Sequence, residues 1–144
     1  MLDIKRLSIE EAKVLIEGAT KKSEEMGIPM CIAVCDESGH LIAFDRMNGG
    51  KISSISIAID KAFTGAVARH GTHVYNQLCQ PGQPTFGIHI TNGGHFSIIG
   101  GGLPVVVDKV IVGGIGISSG TAVQDLEVAE AAIAYFNKKT GHKP

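Results

Sequence analysis

The stretches Gly100-Gly101-Gly102-Leu103-Pro104 and Val110-Ile111-Val112-Gly113-Gly114-Ile115-Gly116-Ile117-Ser118-Ser119-Gly120 decide how this chain folds. The first stretch has three consecutive glycines, and in the second stretch glycines are spaced among β-branched valines and isoleucines, which favour strands. Because glycine lacks the side chain that would hold a neighbour away, a second backbone or a flat ligand can lie directly on such a sheet. We therefore predict that either a second subunit or a ligand covers this surface.

Hydrophobic periodicity and turn residues divide the rest of the chain into helices and strands. Capping boxes at Ser8 and Thr121 are followed by apolar spacings of three and four, which predicts a first helix to Met26 and a last helix that ends before Gly141. Helices are also predicted over 53–70 and 72–79, and strands over 30–35, 40–47, 96–99, 105–107 and 110–117. Bulky apolar residues alternate with other residues over 86–90, which indicates a short extended segment without deciding whether it is a strand.

This order predicts an α+β fold, because short turns join most of the strands and helices are left to cover the sheet. We expect a single domain over residues 1–144, with a five-stranded antiparallel sheet and flanking helices in the order α-β-β-α-α-β-β-β-α. A chain of 144 residues suffices for one autonomous core.

The amino-acid composition limits the kinds of partner that we expect for this protein. The 13 Lys and Arg residues nearly balance the 14 Asp and Glu residues, so charge does not favour nucleic acid or an anionic membrane. Charged residues make up 19% of the chain, below the usual share of about 25%, which indicates that other subunits cover part of the surface. Neither a signal-peptide pattern nor an apolar run of about 18 residues occurs, so we expect a cytoplasmic protein. Together with the low share of charged residues, this predicts a cytoplasmic homo-oligomer.

Several familiar motifs are incomplete. Gly114-Ile115-Gly116 resembles part of a dinucleotide-binding fingerprint, but Ser119 replaces its third glycine and no second parallel strand follows. Cys31 and Cys35 would share one face of a strand with Ala33, as buried free thiols often do. The six histidines lack the spacing of a hydrolytic metal site, so no metal site is predicted. A single histidine beside a flat apolar slot can nevertheless ligate haem iron at any spacing.

Two cations stand out because their sequence neighbours are apolar. Arg46 ends an apolar strand, and Lys61 lies in a helix among small and apolar residues. Each is suited to bind an anion such as a ligand carboxylate. Each is also explained by a snorkelling side chain or by an ion pair with Asp45, Asp60 or Asp125, because long cationic side chains commonly adopt such arrangements. The sequence leaves both interpretations open.

An ordered set of motifs resembles the GlcG/HbpS family, whose domain also forms the carboxyl end of PduO-type corrinoid adenosyltransferases. The set covers nearly the whole chain. It comprises Ala33-Val34-Cys35-Asp36, Gly39-His40-Leu41-Ile42-Ala43-Phe44, Arg46-Met47, residues 53–58, Lys61-Ala62-Phe63-Thr64, Gly101-Gly102-Leu103-Pro104, residues 113–120, and Gln124-Asp125.

The resemblance implies a profilin-like or roadblock-like five-stranded sheet and assembly into oligomers, often octamers. It also implies that some members bind haem and that certain secreted relatives degrade it. A small planar ligand in an apolar cleft would then have ligand-binding candidates at Arg46, Lys61, Gly101, Gly102 and Pro104. Because the relatives differ in their axial ligands, the candidates for haem ligation are all of His40, His89 and His95.

Two functions from different classes follow. The first is a haem- or tetrapyrrole-binding accessory protein. The alternative is a non-enzymatic assembly or interaction module of a corrinoid-dependent diol or glycerol utilisation pathway. A third hypothesis, an enzyme acting on a small hydroxy acid, rests on analogy alone, because no paired acid and base assigns a reaction.

Overall fold

The computed structural model describes all 144 residues and shows an antiparallel sheet with helices on both faces. The helices are α1 (Ile9–Met26), α2 (Ser54–Ala68), α3 (Thr72–Leu78) and α4 (Ala122–Thr140), and short 3-10 turns cover Ile88–Ile90 and Asn92–Gly94. The strands are β1 (Cys31–Asp36), β2 (Leu41–Arg46), β3 (Gly102–Val107) and β4 (Val110–Ser118), in the order β2-β1-β4-β3. None of the helices combines the length and apolar character needed to cross a membrane.

The long helices begin where local sequence signals place them. At the start of α1 the Glu11 backbone N–H donates to the Ser8 hydroxyl, and at the start of α4 the Gln124 backbone N–H donates to the Thr121 hydroxyl. Both capping boxes are complete, which confirms the prediction. Gly27 then ends α1 in the left-handed region at φ 70°.

The two faces of the sheet have different cores. Helices α1 and α4 cover one face, where residues such as Ile32, Ile115 and Phe136 are fully buried. Helix α2 covers the other face with its small residues, and the buried thiols of Cys31 and Cys35 lie there. The prediction of buried free thiols on one face of a strand is confirmed.

The glycines of β3 and β4 let α2 lie almost directly on the sheet. A Cβ added at Gly102, Gly114 or Gly116 would collide with a backbone carbonyl of α2. The prediction that a second subunit or a ligand covers these glycines is therefore wrong, because a helix of the same chain already occupies that space. The sequence did not reveal this because the helix lies about fifty residues away along the chain.

The sheet has four strands, so the prediction of five is wrong. Residues 96–99 do not join the sheet, because side chains of two helices bind their backbone instead. The Ser97 backbone N–H donates to the Thr64 hydroxyl at 2.8 Å, and the Thr72 hydroxyl donates to the Ile99 carbonyl at 2.5 Å. The segment is therefore held against α2 and α3, and the alternating residues 86–90 contain a 3-10 turn rather than a strand.

Candidate functional site

A cleft lies between α2 and the segment 89–99, which includes the predicted strand 96–99 that does not form. Its volume is about 290 Å³. The lining combines apolar side chains with one imidazole, one carboxylate and one hydroxyl, and consists of Ile57, Asp60, His89, Gly94, Phe96, Ser97, Ile98 and Ile99. An apolar slot with few polar groups is the usual form of a small-molecule site.

Contacts with α3 and α2 hold the part of the cleft wall that Phe96 and Ser97 form. Phe96 is buried and its ring meets that of Tyr75 edge-on, with ring centroids 4.9 Å apart. Edge-on pairs of this kind are a favoured aromatic geometry. Together with the bond between Ser97 and Thr64, this contact holds the segment against α3 and α2. The slot is consequently preformed rather than dependent on a free loop.

His89 is the polar residue of the cleft best suited to bind a metal. Its Nδ1 lies 3.1 Å from the sulfur of Cys79, which is buried, whereas the imidazole itself is exposed. Its Nε2 has no hydrogen-bond partner in the protein. An imidazole with one nitrogen held by the protein and the other free is the arrangement of a typical metal-ligating histidine. The sequence pointed to His89 but not to its contact with Cys79.

The other two candidate histidines are held differently. His95 Nδ1 lies 2.8 Å from Asp60 Oδ1, and its side chain is 65% exposed. Through Asp60, His95 borders the cleft without lining it. His40 lies in the turn between β1 and β2, where its Nδ1 is 3.0 Å from the Ser38 hydroxyl. The structure therefore does not bring the three histidines together in one site.

Lys61 is buried and paired inside the protein. Its ammonium donates to Asp125 Oδ2 and to the Ile117 carbonyl, both at 2.9 Å. Asp125 Oδ1 in turn accepts from the Gly120 backbone N–H. Burial lowers the pKa of Lys61 and raises the pKa of Asp125, and the bond between them opposes both shifts. The ion-pair alternative with Asp125 is thus confirmed for Lys61.

The remaining ligand-binding candidates lie outside the histidine cleft. Arg46 is exposed at the end of β2, near the thiol of Cys31. Burial raises the pKa of Cys31, and the positive charge of Arg46 opposes this increase. Gly101 is buried at φ 127° beside the Lys61 pair, and Gly102 is buried beneath α2. Pro104 is half-buried in β3, opposite Gly114. The five predicted ligand contacts therefore do not form one pocket with a histidine.

A larger groove of about 720 Å³ lies between α1 and β2. Its floor includes Ile16, Ile42 and Phe44, and lysines and glutamates of α1 line it as well. No histidine lines it, and nowhere in the chain do three or more His, Cys, Asp or Glu side chains group as metal ligands. Of this groove and the cleft at His89, only the cleft has a histidine nitrogen that is available to ligate iron.

Comparison with known protein families identifies the chain. The model of the family described as "Haem degrading protein HbpS-like" matches residues 7–134. The chain belongs to the HbpS-like family. This confirms the resemblance that its motifs indicated.

Relatives of this HbpS-like chain agree with that assignment. An uncharacterized 15.0 kDa protein from the dhaT-dhaS intergenic region of Citrobacter freundii is 33% identical over 94% of this chain and 95% of its own length. The corrinoid adenosyltransferase PduO of the same organism is 32% identical over 93% of this chain, which corresponds to 40% of the enzyme. The crystal structure of the PduOC:heme complex superposes with a TM-score of 0.86 at 28% identity, over 90% of this chain and 94% of that one.

Proposed function

We propose that this HbpS-like chain is a cytoplasmic, oligomeric accessory protein that binds haem or a related tetrapyrrole in the cleft at His89. The observation that carries the proposal is the exposed imidazole of His89 beside an apolar slot, with Nδ1 held by Cys79 and Nε2 free. A relative with 28% identity is known as a haem complex, and the family description refers to haem degradation. Both comparisons support haem as the ligand.

The residues of the cleft fit this group chemically. A haem macrocycle is flat and apolar, and Ile57, Phe96 and Ile99 offer it apolar contacts. Neutral imidazole is a common axial ligand of haem iron. When bound, haem would supply an iron centre able to bind small ligands or exchange an electron. Asp60, the one carboxylate in the lining, would repel the propionates and so direct them toward solvent.

The size of the cleft bears on the oligomer. At about 290 Å³ it lies at the small end of ligand pockets, which span about 300–1,000 Å³. One subunit would therefore cover only part of the macrocycle. Exposed apolar side chains near this end of the molecule include Phe86 and Ile90, which are 63% and 73% exposed. A second subunit that covers them would also enclose more of the ligand.

Titration of the purified protein with ferric haem tests the proposal. We expect a shifted Soret band that saturates at one haem per chain. His89→Ala should lose the Soret position of the histidine-ligated complex and bind haem much more weakly, whereas His40→Ala and His95→Ala, as matched controls, should behave like wild type. If wild type gives no shift, or if His89→Ala binds as tightly as wild type, the proposed site is wrong.

A second candidate function is the non-enzymatic assembly module of a corrinoid-dependent pathway. The similarity to PduO over 93% of this chain favours it. This function predicts a stable haem-free oligomer whose mass does not change in His89→Ala. Sedimentation of the haem-free protein measures that mass, and a monomer at micromolar concentration would contradict this alternative.

A further inference from the structure

The thiol of Cys79 is buried but contacts an exposed histidine. We propose that Cys79 is a positioning residue for the iron ligand, and that it determines which nitrogen of His89 faces the metal. This inference rests on the proposed function. The sulfur and Nδ1 are 3.1 Å apart, within hydrogen-bond distance for sulfur.

Cys79 is a fixed point, because the end of α3 holds it in place. Its backbone N–H donates to the Tyr75 carbonyl at 2.9 Å, and the residue is 4% exposed. Thr85 fixes the following loop, since both its backbone N–H and its hydroxyl donate to the Leu78 carbonyl. The loop between Cys79 and His89 is thus anchored to the end of α3 by Thr85. The sulfur therefore restrains the orientation of an imidazole that is otherwise exposed.

The proton on the imidazole links this contact to metal binding. A neutral imidazole carries one N–H, so a bond from Nε2 to iron requires the proton on Nδ1. Nδ1–H then donates to the sulfur of Cys79. If the free protein holds the other tautomer, in which the thiol donates to Nδ1, the proton moves from Nε2 to Nδ1 and the thiol rotates, with no net loss of protons. A donor bond from Nδ1 to the sulfur also makes Nε2 a stronger ligand.

Replacement of the thiol tests this role. Loss of such an outer partner typically weakens metal binding by about 10–100-fold, so we expect Cys79→Ala to bind haem about tenfold more weakly than wild type. Cys79→Ser keeps an acceptor and should restore part of the affinity. Cys35→Ala is the matched control, because Cys35 is also buried but contacts no histidine. Thermal melting of each haem-free variant verifies that it folds.

A double variant separates positioning from a general structural effect. If Cys79 acts through His89, adding Cys79→Ala to His89→Ala leaves the residual haem affinity unchanged. A further loss in the double variant would overturn the inference, and so would wild-type affinity in Cys79→Ala with His89→Ala impaired. Wild-type affinity in His89→Ala would instead overturn the proposed site itself. The two failures are therefore distinguishable.

Discussion

Replacing Asp125 with alanine should destabilise the protein more than any surface substitution, because it leaves a buried ammonium without its counter-ion. The side chains of Lys61 and Asp125 are 1% and 3% exposed. After the substitution, the Lys61 ammonium keeps only the Ile117 carbonyl as acceptor, and the Gly120 N–H loses its acceptor. Removing one partner of a buried pair costs about 3–5 kcal/mol of unfolding free energy.

The loss is large enough to measure by melting. For a chain near this size, 1 kcal/mol lowers the melting temperature by about 2–4 °C, so a loss of about 3–5 kcal/mol should make Asp125→Ala melt at least about 6 °C below wild type. The double variant Lys61→Met with Asp125→Ala removes both charges and should melt higher than Asp125→Ala alone. If Asp125→Ala melts within 2 °C of wild type, or if the double variant melts lower still, the buried charge does not control stability as argued.

Three further predictions concern the packing of α2, the wall of the cleft and the β1–β2 turn. Gly116→Ala places a methyl group against the Ala58 carbonyl, so urea denaturation should show a loss of about 1–3 kcal/mol, and an unchanged midpoint would contradict the packing of α2 on bare backbone. Thr64→Val leaves the Ser97 N–H without its acceptor, so hydrogen exchange at Ser97 should accelerate and haem affinity should fall; slow exchange in this variant would show that the wall is held by other contacts. Burial alone would raise the pKa of Asp36, but hydrogen bonds from the Ser38 hydroxyl and from two backbone N–H groups lower it. The ionised carboxylate therefore stabilises the folded protein at pH values above its unfolded pKa of about 4, and this stabilisation is lost as the pH falls through the lowered pKa of the folded state. Asp36→Asn should therefore show a weaker acid dependence of unfolding free energy than wild type, and an identical dependence would refute this assignment.

Features set by neighbours along the chain were predictable from the sequence. The capping boxes at Ser8 and Thr121 need only residues three positions apart, and both formed as predicted. The hairpin of β1 and β2 depends on a short turn, and it also formed. Local signals of this kind gave the α+β class and most of the helix boundaries.

Features set by distant residues were not predictable. Residues 96–99 have the composition of a strand, yet the hydroxyls of Thr64 and Thr72 hold their backbone away from the sheet. The bare backbone of β4 indicated a close contact, but only the tertiary fold shows that α2 makes it. Likewise, the sequence did not indicate that His89, one of the three candidate histidines, lies beside Cys79.

The resonance Raman spectrum of the ferrous haem complex shows whether His89 ligates the iron, because its iron–histidine stretching band reports the axial ligand. We expect this band in wild type, its loss in His89→Gly and its return when free imidazole is added. A band that persists unchanged in His89→Gly, or a wild-type complex without it, would contradict ligation by His89.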